Sequence, residues 1–300
     1  MITIFTPTYN RALCLSKLAD SLLKQSFQDF EWIIVDDGST DNTQKVIESL
    51  KKKMKIIYYY QKNSGKHIAY NRGIELASGE YFVCVDSDDT LDPFAIERYC
   101  SLIKKYNTEV GFVLRQNLVG ANDISKWVAI DGKKVNIADL KNIYGIVESN
   151  PLIKTFYLKK YRFPHYKKNT NEYEKFCPED YLYNQLSKEG RFIAKNVAVY
   201  NSAYRNDGLT SNIFNLWINN SEGVLQTLRL RYYMCCDYIF TYKTINYVKC
   251  ILNINALCLA THKKLKDYSP NMKMSYLLII PSILLKIRRY RYNSWFNLKD

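Results

Sequence analysis

Three short acidic clusters contain the residues whose types and spacing could do chemistry. They are Asp36 with Asp37, Asp86 with Asp88 and Asp89, and Glu179 with Asp180. A D-x-D pair in a turn can offer carboxylate oxygens to one hard cation, Mg²⁺ or Mn²⁺, and leave coordination positions for phosphate oxygens and water. Because carboxylates this close together repel one another, we expect a divalent metal and a phosphorylated substrate to compensate the second cluster.

The elements that must position these clusters alternate regularly between residues 1 and about 116. Strands are predicted at ITIFTPTY, EWIIVDD, KIIYYYQ, YFVCVD and VGFVLRQ, and helices at residues 13–23, 43–50, 67–77 and 93–106. This alternation predicts a parallel α/β sheet with helices on both faces. The first two acidic clusters end strands, and the carboxyl ends of parallel strands share one edge, where ligands bind. We therefore expect them in one crevice, although helix capping would explain any single cluster.

The pattern changes after residue 116. Residues 117–176 are a loop-rich excursion of the kind that often faces substrate. A helix at residues 179–188 and the strand RFIAKNVAVY follow, and residues 217–300 are mainly helical by pattern. We therefore divide the chain into a domain of residues 1–215 and a basic, mainly helical region of residues 216–300.

The charge is concentrated in that last region. The formal net charge is +14, and residues 224–300 hold 13 Lys and Arg against 3 Asp and Glu. Such a block indicates either an anionic partner, such as a phospholipid surface, or a solvated basic face. The apolar run at residues 276–285 contains Pro281 and is far shorter than the ~20 residues of a membrane-spanning helix. It could lie in the plane of an anionic membrane or pack on the core, and both interpretations stay open.

Several other classes of function lack their motifs. No G-x-G-x-x-G follows a predicted strand, and no G-x-S-x-G is present. Only three histidines occur, too scattered for a histidine-based metal centre, and the eight cysteines contain no C-x-x-C pair, so we expect reduced thiols. Because the first residues form a strand-like run without a signal peptide's basic and apolar regions, we expect a cytoplasmic protein.

Four sequence blocks occur together in one order. They are TPTYNR at residues 6–11, VDDGSTDNT at 35–43, NRGIELASGEYFVCVDSDD at 71–89 and PED at 178–180. In this order and spacing they closely resemble family 2 of the inverting glycosyltransferases, over roughly residues 1–210. The resemblance implies the GT-A fold, a Rossmann-like and mostly parallel sheet flanked by helices, here with a helical C-terminal extension.

The resemblance also implies roles for single residues. By position, Thr6, Pro7, Tyr9 and Arg11 line the nucleoside, Asp37 bonds the base, Lys66 approaches the diphosphate, Asp88 binds Mn²⁺ or Mg²⁺, and Asp86 contacts the ribose or the metal through water. Asp89 receives no assigned role. The general base is Asp180, and Glu179 faces the acceptor or serves the structure. Residues 204–212 correspond to a loop over the diphosphate, with Tyr204 or Arg205 at the phosphate.

A reaction follows from this resemblance. One sugar would pass from a nucleotide-diphosphate sugar to an acceptor hydroxyl with inversion, and the Q-x-x-R-W motif of processive synthases is absent. A glycan or a lipid-linked acceptor in surface polysaccharide assembly is the expected partner, with no nucleic acid. The alternatives are a nucleotidyltransferase, although TPTYNRA lacks the glycines that such an enzyme needs after its first strand, and a non-catalytic sugar-nucleotide-binding or membrane-tethering module.

Overall fold

The computed structural model describes residues 1–118, 124–202, 213–234 and 240–292. The chain divides into two compact units, Met1–Phe163 with Leu186–Tyr204, and Pro164–Gln185 with Arg205–Asp300. The strands are β1 (Ile2–Thr8), β2 (Phe30–Asp36), β3 (Ile56–Tyr60), β4 (Tyr81–Cys84), β5 (Thr90–Leu91), β6 (Gly111–Leu118), β7 (Lys134–Val135), β8 (Ser149–Lys154) and β9 (Phe192–Ser202). The helices before residue 164 are α1 (Ala12–Leu23), α2 (Thr43–Lys51), α3 (Lys66–Leu76), α4 (Ala95–Lys105), α5 (Ile124–Ile130), α6 (Ile137–Asn142) and α7 (Thr155–Leu158).

All these strands belong to one sheet in the first unit. Its order is β3-β2-β1-β4-β8-β6-β9-β5, and β7 pairs with β9. β1 pairs in parallel with β2 and β4, and β2 with β3. In this register Thr8 lies beside Asp36 and Phe5 beside Cys84, so the first two acidic clusters follow strands that end at the same edge. The predicted α/β class with a mostly parallel sheet is confirmed.

One central strand departs from the predicted parallel pattern. β8 lies between β4 and β6 and is antiparallel to both. It comes from residues 117–176, which the sequence indicated as loop-rich. This excursion therefore also builds the middle of the sheet, with Leu152 and Ile153 buried in it.

Aromatic packing fixes α3 against the sheet. The Phe5 ring lies 5.1 Å from the Tyr70 ring and 5.4 Å from the Phe82 ring, measured between centroids. Gly73 permits this close approach, because a Cβ atom there would lie 2.4 Å from the Phe5 ring. The N-terminus of α3, which carries Lys66, is thereby held at a defined position beside the sheet.

The second unit is helical. Its helices are α8 (Asp180–Leu186), α9 (Ile213–Asn219), α10 (Ser221–Met234), α11 (Phe240–Thr261), α12 (Leu265–Tyr268), α13 (Met272–Leu277) and α14 (Ile279–Tyr292). The Glu174 carboxylate accepts the backbone N–H groups of Glu222 and Gly223 at the start of α10, at 2.7 and 2.9 Å. By packing, residues 164–185 therefore belong with the C-terminal helices, whereas the sequence placed them in the domain of residues 1–215. The predicted boundary near residue 215 stays a prediction about folding domains.

In helices α13 and α14, polar side chains are buried and large apolar side chains are exposed. Ser275, Ser282 and Arg289, seven residues apart, are buried. Arg289 donates to Asn253 of α11, and Asn255 of α11 donates to the Ser275 carbonyl at 2.8 Å. Seven large apolar side chains of this segment are 41% to 79% exposed, namely Tyr276, Leu277, Ile280, Ile283, Leu284, Ile287 and Tyr290. Within the described residues, no helix is both long and apolar enough to cross a membrane.

The thiols agree with the expected reduced state as far as they are described. Cys14, Cys84, Cys100, Cys177, Cys250 and Cys258 form no disulfide bond within the described residues. The last three are buried, as the sequence indicated, while the first three are only partly so. Burial raises the pKa of the Cys177 and Cys258 thiols to about 12. These two therefore stay protonated and act as small apolar side chains.

Candidate functional site

The loops after β1 and β2 are joined by hydrogen bonds at the carboxyl edge of the sheet. The Asn10 side chain accepts the Thr40 N–H at 2.8 Å, and the Asn10 N–H donates to the Ser39 hydroxyl at 2.8 Å. Asn10 adopts a positive φ of 52°, which asparagine tolerates better than most residues. The Asp37 N–H also donates to the Thr8 carbonyl at 2.8 Å. These hydrogen bonds thus connect the two loops along one side of the candidate donor site.

Asp37 organises the next loop. Its carboxylate accepts the Gln61 side-chain amide at 2.7 Å and the backbone N–H groups of Ser64 and Gly65 at 2.8 and 2.7 Å. Asp37 is only 5% exposed, so these bonds satisfy a buried charge. Gly65 has a positive φ of 98° and begins the turn into α3. Asp37, predicted to bond the nucleoside base, therefore fixes the loop that carries Lys66.

Lys66 and Asp86 form an ion pair at this edge. The Lys66 ammonium lies 2.8 Å from Asp86 Oδ1 and 3.0 Å from Oδ2. The side chains of Lys66 and Asp86 are 31% and 38% exposed, so water screens much of their attraction. The structure therefore brings two predicted site residues into contact, with a basic group directly beside one of the D-x-D acids.

Tyr200 of β9 holds the D-x-D turn from behind. Its hydroxyl accepts the Asp86 N–H at 3.1 Å and donates to Asp89 Oδ2 at 2.6 Å. Burial is the main cause that raises the pKa of Asp89 to about 7. The hydrogen bond from Tyr200 opposes this shift, and the nearby carboxylates of Asp86 and Asp88 reinforce it. Through these two hydrogen bonds, Tyr200 fixes the D-x-D turn at Asp86 and Asp89.

The D-x-D carboxylates fit a hard divalent cation as part of a ligand set. Asp86 and Asp88 are partly exposed, whereas the neighbouring Val85 and Ser87 are buried, so both acids are accessible to a ligand. Among the described residues, no three His, Cys, Asp or Glu side chains converge in a way that could hold a metal. Mg²⁺ usually takes one or two carboxylates and completes its coordination with phosphates and water. The acids present suit that mode and not an all-protein cage.

The predicted nucleoside-lining residues differ in their surroundings. Thr6 is fully buried and its hydroxyl accepts the Trp32 indole N–H at 3.0 Å. Pro7 is buried as well, Tyr9 is 46% exposed, and Arg11 is partly exposed beside the β2–α2 loop. Tyr9 and Arg11 are therefore the two of the four whose side chains are accessible. The predicted diphosphate loop at residues 204–212 lies outside the described residues.

Asp180, the predicted base, lies in the second unit at the first position of α8. Its Oδ2 atom forms an ion pair with Arg231 of α10, and its side chain is 41% exposed. Oδ1 has no hydrogen-bond partner within the described part of the chain. Glu179 accepts the Tyr183 hydroxyl at 3.1 Å one turn along the helix. Of this acidic pair, Asp180 is the residue with an oxygen left for a ligand.

A family model settles which proteins this chain is related to. The model described as glycosyl transferase family 2 matches residues 3–162, more than half of the chain. The chain belongs to glycosyl transferase family 2. The predicted resemblance is confirmed, and members of this family are enzymes that transfer sugars. Membership also argues against the nucleotidyltransferase alternative.

Curated relatives in this family match over part of their length. An uncharacterized glycosyltransferase of Nostoc sp. is 35% identical over 124 residues, which are 41% of this chain and 38% of that protein. One from Haemophilus influenzae is 30% identical over 139 residues, 46% of this chain and 52% of that protein. The chain thus spans about half or less of the curated relatives it matches.

Solved structures of glycosyltransferases show the same fold over nearly the whole chain. S. aureus TarS in complex with UDP-GlcNAc is 15% identical with a TM-score of 0.60, covering 99% of this chain and 93% of that one. The mannosyltransferase PcManGT of Pyrobaculum calidifontis, in complex with GDP-Man and Mn²⁺, is 15% identical with a TM-score of 0.54, covering 97% and 81%. The chain therefore has the GT-A fold of this family.

Three residues that shape these surroundings were not predicted from the sequence. They are Gln61, Tyr200 and Arg231. Gln61 is the last residue of the predicted strand KIIYYYQ and directly follows β3, so its position at the end of a strand was the available signal. Tyr200 and Arg231 lie 111 and 51 residues from their acidic partners, and nothing in the local pattern marks them.

Proposed function

We propose that this protein is an inverting glycosyltransferase that moves one sugar from a nucleotide-diphosphate sugar to an acceptor hydroxyl. The observation that carries the proposal is the connected chain of contacts from Asp37 through residues 61–65 to Lys66 and Asp86. These contacts hold the Lys66 ammonium beside the paired acids at the sheet edge where ligands bind, and they support a diphosphate-binding site there. A diphosphate leaving group needs this combination of charges.

The donor would lie along that edge. Tyr9 and Arg11 would contact the nucleoside, and the Asp37-anchored loop would present Lys66 to the diphosphate. As the sugar leaves, negative charge develops on the diphosphate, and a pre-positioned ammonium stabilises it. Lys66 would then exchange part of its contact with Asp86 for a phosphate oxygen, since both carboxylate contacts are partly solvated.

Asp88, with Asp86 beside it, would hold Mn²⁺ or Mg²⁺ together with the donor phosphates. When bound, such an ion supplies Lewis-acid neutralisation of the leaving group. Release of Lys66 from Asp86 would free a carboxylate for the ion or the ribose. The neighbouring GT-A structures in complex with UDP-GlcNAc, or with GDP-Man and Mn²⁺, favour this donor class.

Asp180 would accept the proton of the acceptor hydroxyl. Its ion pair with Arg231 engages Oδ2 and leaves Oδ1 for the acceptor. A hydroxyl that loses its proton as it attacks the anomeric carbon opposite the leaving group gives inversion in one displacement. Arg231 would therefore orient the base and would not itself touch the reacting atoms.

A donor screen tests this function. Nucleotide sugars should raise the thermal unfolding midpoint only in the presence of Mn²⁺ or Mg²⁺, because a ligand that binds the native state stabilises it. A positive donor is then incubated with acceptor extracts, and release of the nucleoside diphosphate is measured. Absence of any metal-dependent shift across uridine, guanosine, thymidine and cytidine sugars would refute the donor assignment.

The exposed apolar face of α13 and α14 supports a second proposal, peripheral attachment to an anionic membrane. Large apolar side chains at positions 276, 277, 280, 283, 284 and 287 follow a helical repeat on the outward side. Residues 268–299 contain six Lys and Arg and no Asp or Glu, and Lys273 and Arg288 are exposed beside the face. An apolar stripe with basic flanks is the pattern of helices that lie in a membrane interface. A lipid-linked acceptor in surface polysaccharide assembly would be reached from there.

Vesicle binding tests the attachment. The full chain should sediment with vesicles containing phosphatidylserine, and Leu277→Gln, Ile280→Gln and Leu284→Gln together should weaken binding at least about tenfold by removing buried apolar area. Val128→Gln with Phe156→Gln, exposed apolar residues of the first unit, is the matched control. Unchanged vesicle binding by the triple variant contradicts the proposal. The proposal is also contradicted if the protein is a dimer in solution and the triple substitution dissociates it, because the exposed face would then be a protein interface.

A further inference from the structure

A cavity in the first unit is lined by none of the residues of the candidate donor site. It has a volume of about 570 Å³ and is bordered by α4, β6 and β9. Its lining residues are Arg98, Ser101, Leu102, Lys105, Tyr106, Arg115, Lys195, Asn196, Val197 and Ala198. The β6–β9 register shifts at Arg115, which pairs with Ala198 while Leu114 pairs with Lys195. Asn196 and Val197 therefore bulge from the ladder and help to open the cavity.

The lining of this cavity is strongly basic. It contains Arg98, Lys105, Arg115 and Lys195 and no acidic side chain. Lys195 is 8% exposed and is paired with Asp131 at 2.9 Å, outside the lining. Arg98 lies 3.8 Å from Asp92, a long contact. Two of the four charges are therefore compensated, one of them weakly.

Arg115 and Lys105 carry the two charges of the lining that no carboxylate of the described residues compensates. Arg115 is partly buried, and its Nε and Nη1 atoms donate to the neutral side chains of Asn196 and Asn117 at 2.8 and 3.2 Å. The Lys105 ammonium lies over the Tyr106 ring, 5.4 Å from its centroid. Neither has an ion pair with a carboxylate in the ranges that the structure describes. A guanidinium oriented by neutral amides in a concave site is suited to an external anion.

The uncharged residues of the cavity lining limit what kind of anion fits. Leu102, Tyr106, Val197 and Ala198 provide apolar and aromatic surface, and Ser101 and Asn196 provide hydroxyl and amide groups. The volume lies in the range of roughly 300–1,000 Å³ that small-molecule sites occupy. A bare inorganic ion would leave most of this space unused. A phosphate attached to a sugar or polyol would fill it.

We propose that this cavity binds an organic phosphate, with Arg98, Lys105 and Arg115 around the phosphate and the Tyr106 side against the sugar or polyol. It shares no lining residue with the candidate donor site. The two are linked along β9, because Ala198 lies two residues before Tyr200, which holds the D-x-D turn. The phosphate could belong to a free sugar phosphate or to a phosphodiester within the acceptor. The second source rests on the proposed transferase function.

A phosphorus NMR titration of the full chain in EDTA tests the binding without relying on transfer. Glucose 1-phosphate is the first probe, and the variant is Arg98→Gln with Lys105→Gln, two exposed side chains whose loss should not unfold the protein. Loss of two charge-assisted hydrogen bonds should weaken binding at least about tenfold. Lys104→Gln, an exposed neighbour on the same helix but outside the lining, is the matched control and should bind as the unchanged chain does.

Two outcomes would overturn the proposal. One is equal binding by the unchanged chain and the double variant, and the other is binding that Lys66→Gln removes and the double variant retains, which would assign the phosphate to the donor edge. A phosphodiester-linked disaccharide is the second probe. Tighter binding of this probe, lost in the double variant, identifies an acceptor segment, whereas tighter binding of glucose 1-phosphate identifies a free ligand. Because neither probe contains a nucleotide, this titration can succeed or fail independently of the donor screen that tests the proposed function.

Discussion

Asp88 and Asp180 have different parts in the proposed reaction, so their substitutions should fail in different ways. Asp180→Asn keeps the shape of the base but cannot accept a proton, and we expect kcat to fall about 10²- to 10⁴-fold with donor binding nearly unchanged. Asp88→Ala removes an oxygen ligand, and we expect loss of the divalent-metal dependence of both donor binding and transfer. Initial rates and donor-induced thermal shifts, each with and without Mn²⁺, separate the two.

Glu172→Gln is a suitable control for these two substitutions. Glu172 is an exposed acid of the second unit whose carboxylate accepts the Asn169 side-chain amide at 3.2 Å. Its loss changes the net charge as Asp180→Asn does. If Asp180→Asn kept most of its transfer rate, the base would have to be another residue.

Glu174 provides a pH-dependent test at a residue outside the proposed chemistry. Burial raises the pKa of the Glu174 carboxyl, although the N–H groups of Gly223 and Glu222 oppose the shift. Between the ordinary carboxyl pKa and this raised value, the native state binds more protons than the unfolded state, so the contribution of Glu174 to stability falls as pH rises. Relative to the unchanged chain, Glu174→Gln should therefore be less destabilising at neutral pH than near pH 4.5. Urea unfolding at both pH values measures this difference, and a cost that grows with pH would contradict the assigned burial.

The acidic residues of the candidate site could be predicted from sequence, but their neighbours could not. Asp86 follows a run of apolar residues, and this local pattern places it at the end of a strand. Tyr200 and Arg231 touch the acidic residues only because the chain returns from far away, and an isolated tyrosine or arginine has no spacing that reveals it. The role of Asp37 illustrates the same limit, since three contacts from residues 61–65 occupy its carboxylate.

At the scale of single elements, β8 shows why the sheet was only partly predictable. Its sequence, SNPLIK, contains Pro151, which has no N–H to donate and argues against a central strand. Pro151 nevertheless pairs with Val113, between β4 and β6. Strands β1, β2 and β4 were predictable because their residues are buried on both faces and read as continuous apolar runs. Tertiary pairing overrode the local signal in β8.

The close contact between α3 and β1 gives a prediction opposite to helix propensity. Alanine is favoured over glycine within helices by about 1 kcal/mol. At position 73, however, the added methyl group would lie 2.4 Å from two ring carbons of Phe5, which is fully buried. Gly73→Ala should therefore lower the free energy of unfolding by roughly 1–3 kcal/mol through overpacking, measured by urea denaturation.

Gly223 of α10 is the matched position for that substitution. Its nearest neighbours would lie 3.2 to 3.3 Å from an added methyl group, so small shifts could accommodate it. Gly223→Ala should be much less destabilising than Gly73→Ala. Equal effects of the two substitutions, or a stabilised Gly73→Ala variant, would show that α3 can move away from the sheet.

At the scale of the whole molecule, the chain order and the packing order differ. Residues 164–185 lie between two segments of the first unit in sequence, yet they belong to the compact unit of the C-terminal helices. Lys175 donates its N–H to Asn220 at 2.7 Å, and Cys177 packs against Gly223. The sequence placed a boundary near residue 215 because composition changes there. Composition does not record which helices a short connecting segment packs against.

Amide hydrogen exchange should reveal this division directly. Segments that pack together open together, so in low urea residues 164–185 should exchange with α10 and α11, and residues 192–202 with β6 and β8. The boundary between the two behaviours is expected close to residue 186, inside a stretch that is continuous in sequence. Glu174→Gln, which weakens the contact with the start of α10, should accelerate exchange in residues 164–185 and α10 and leave residues 192–202 unchanged. Residues 164–185 exchanging with the sheet strands in both proteins would mean that this segment belongs to the first unit.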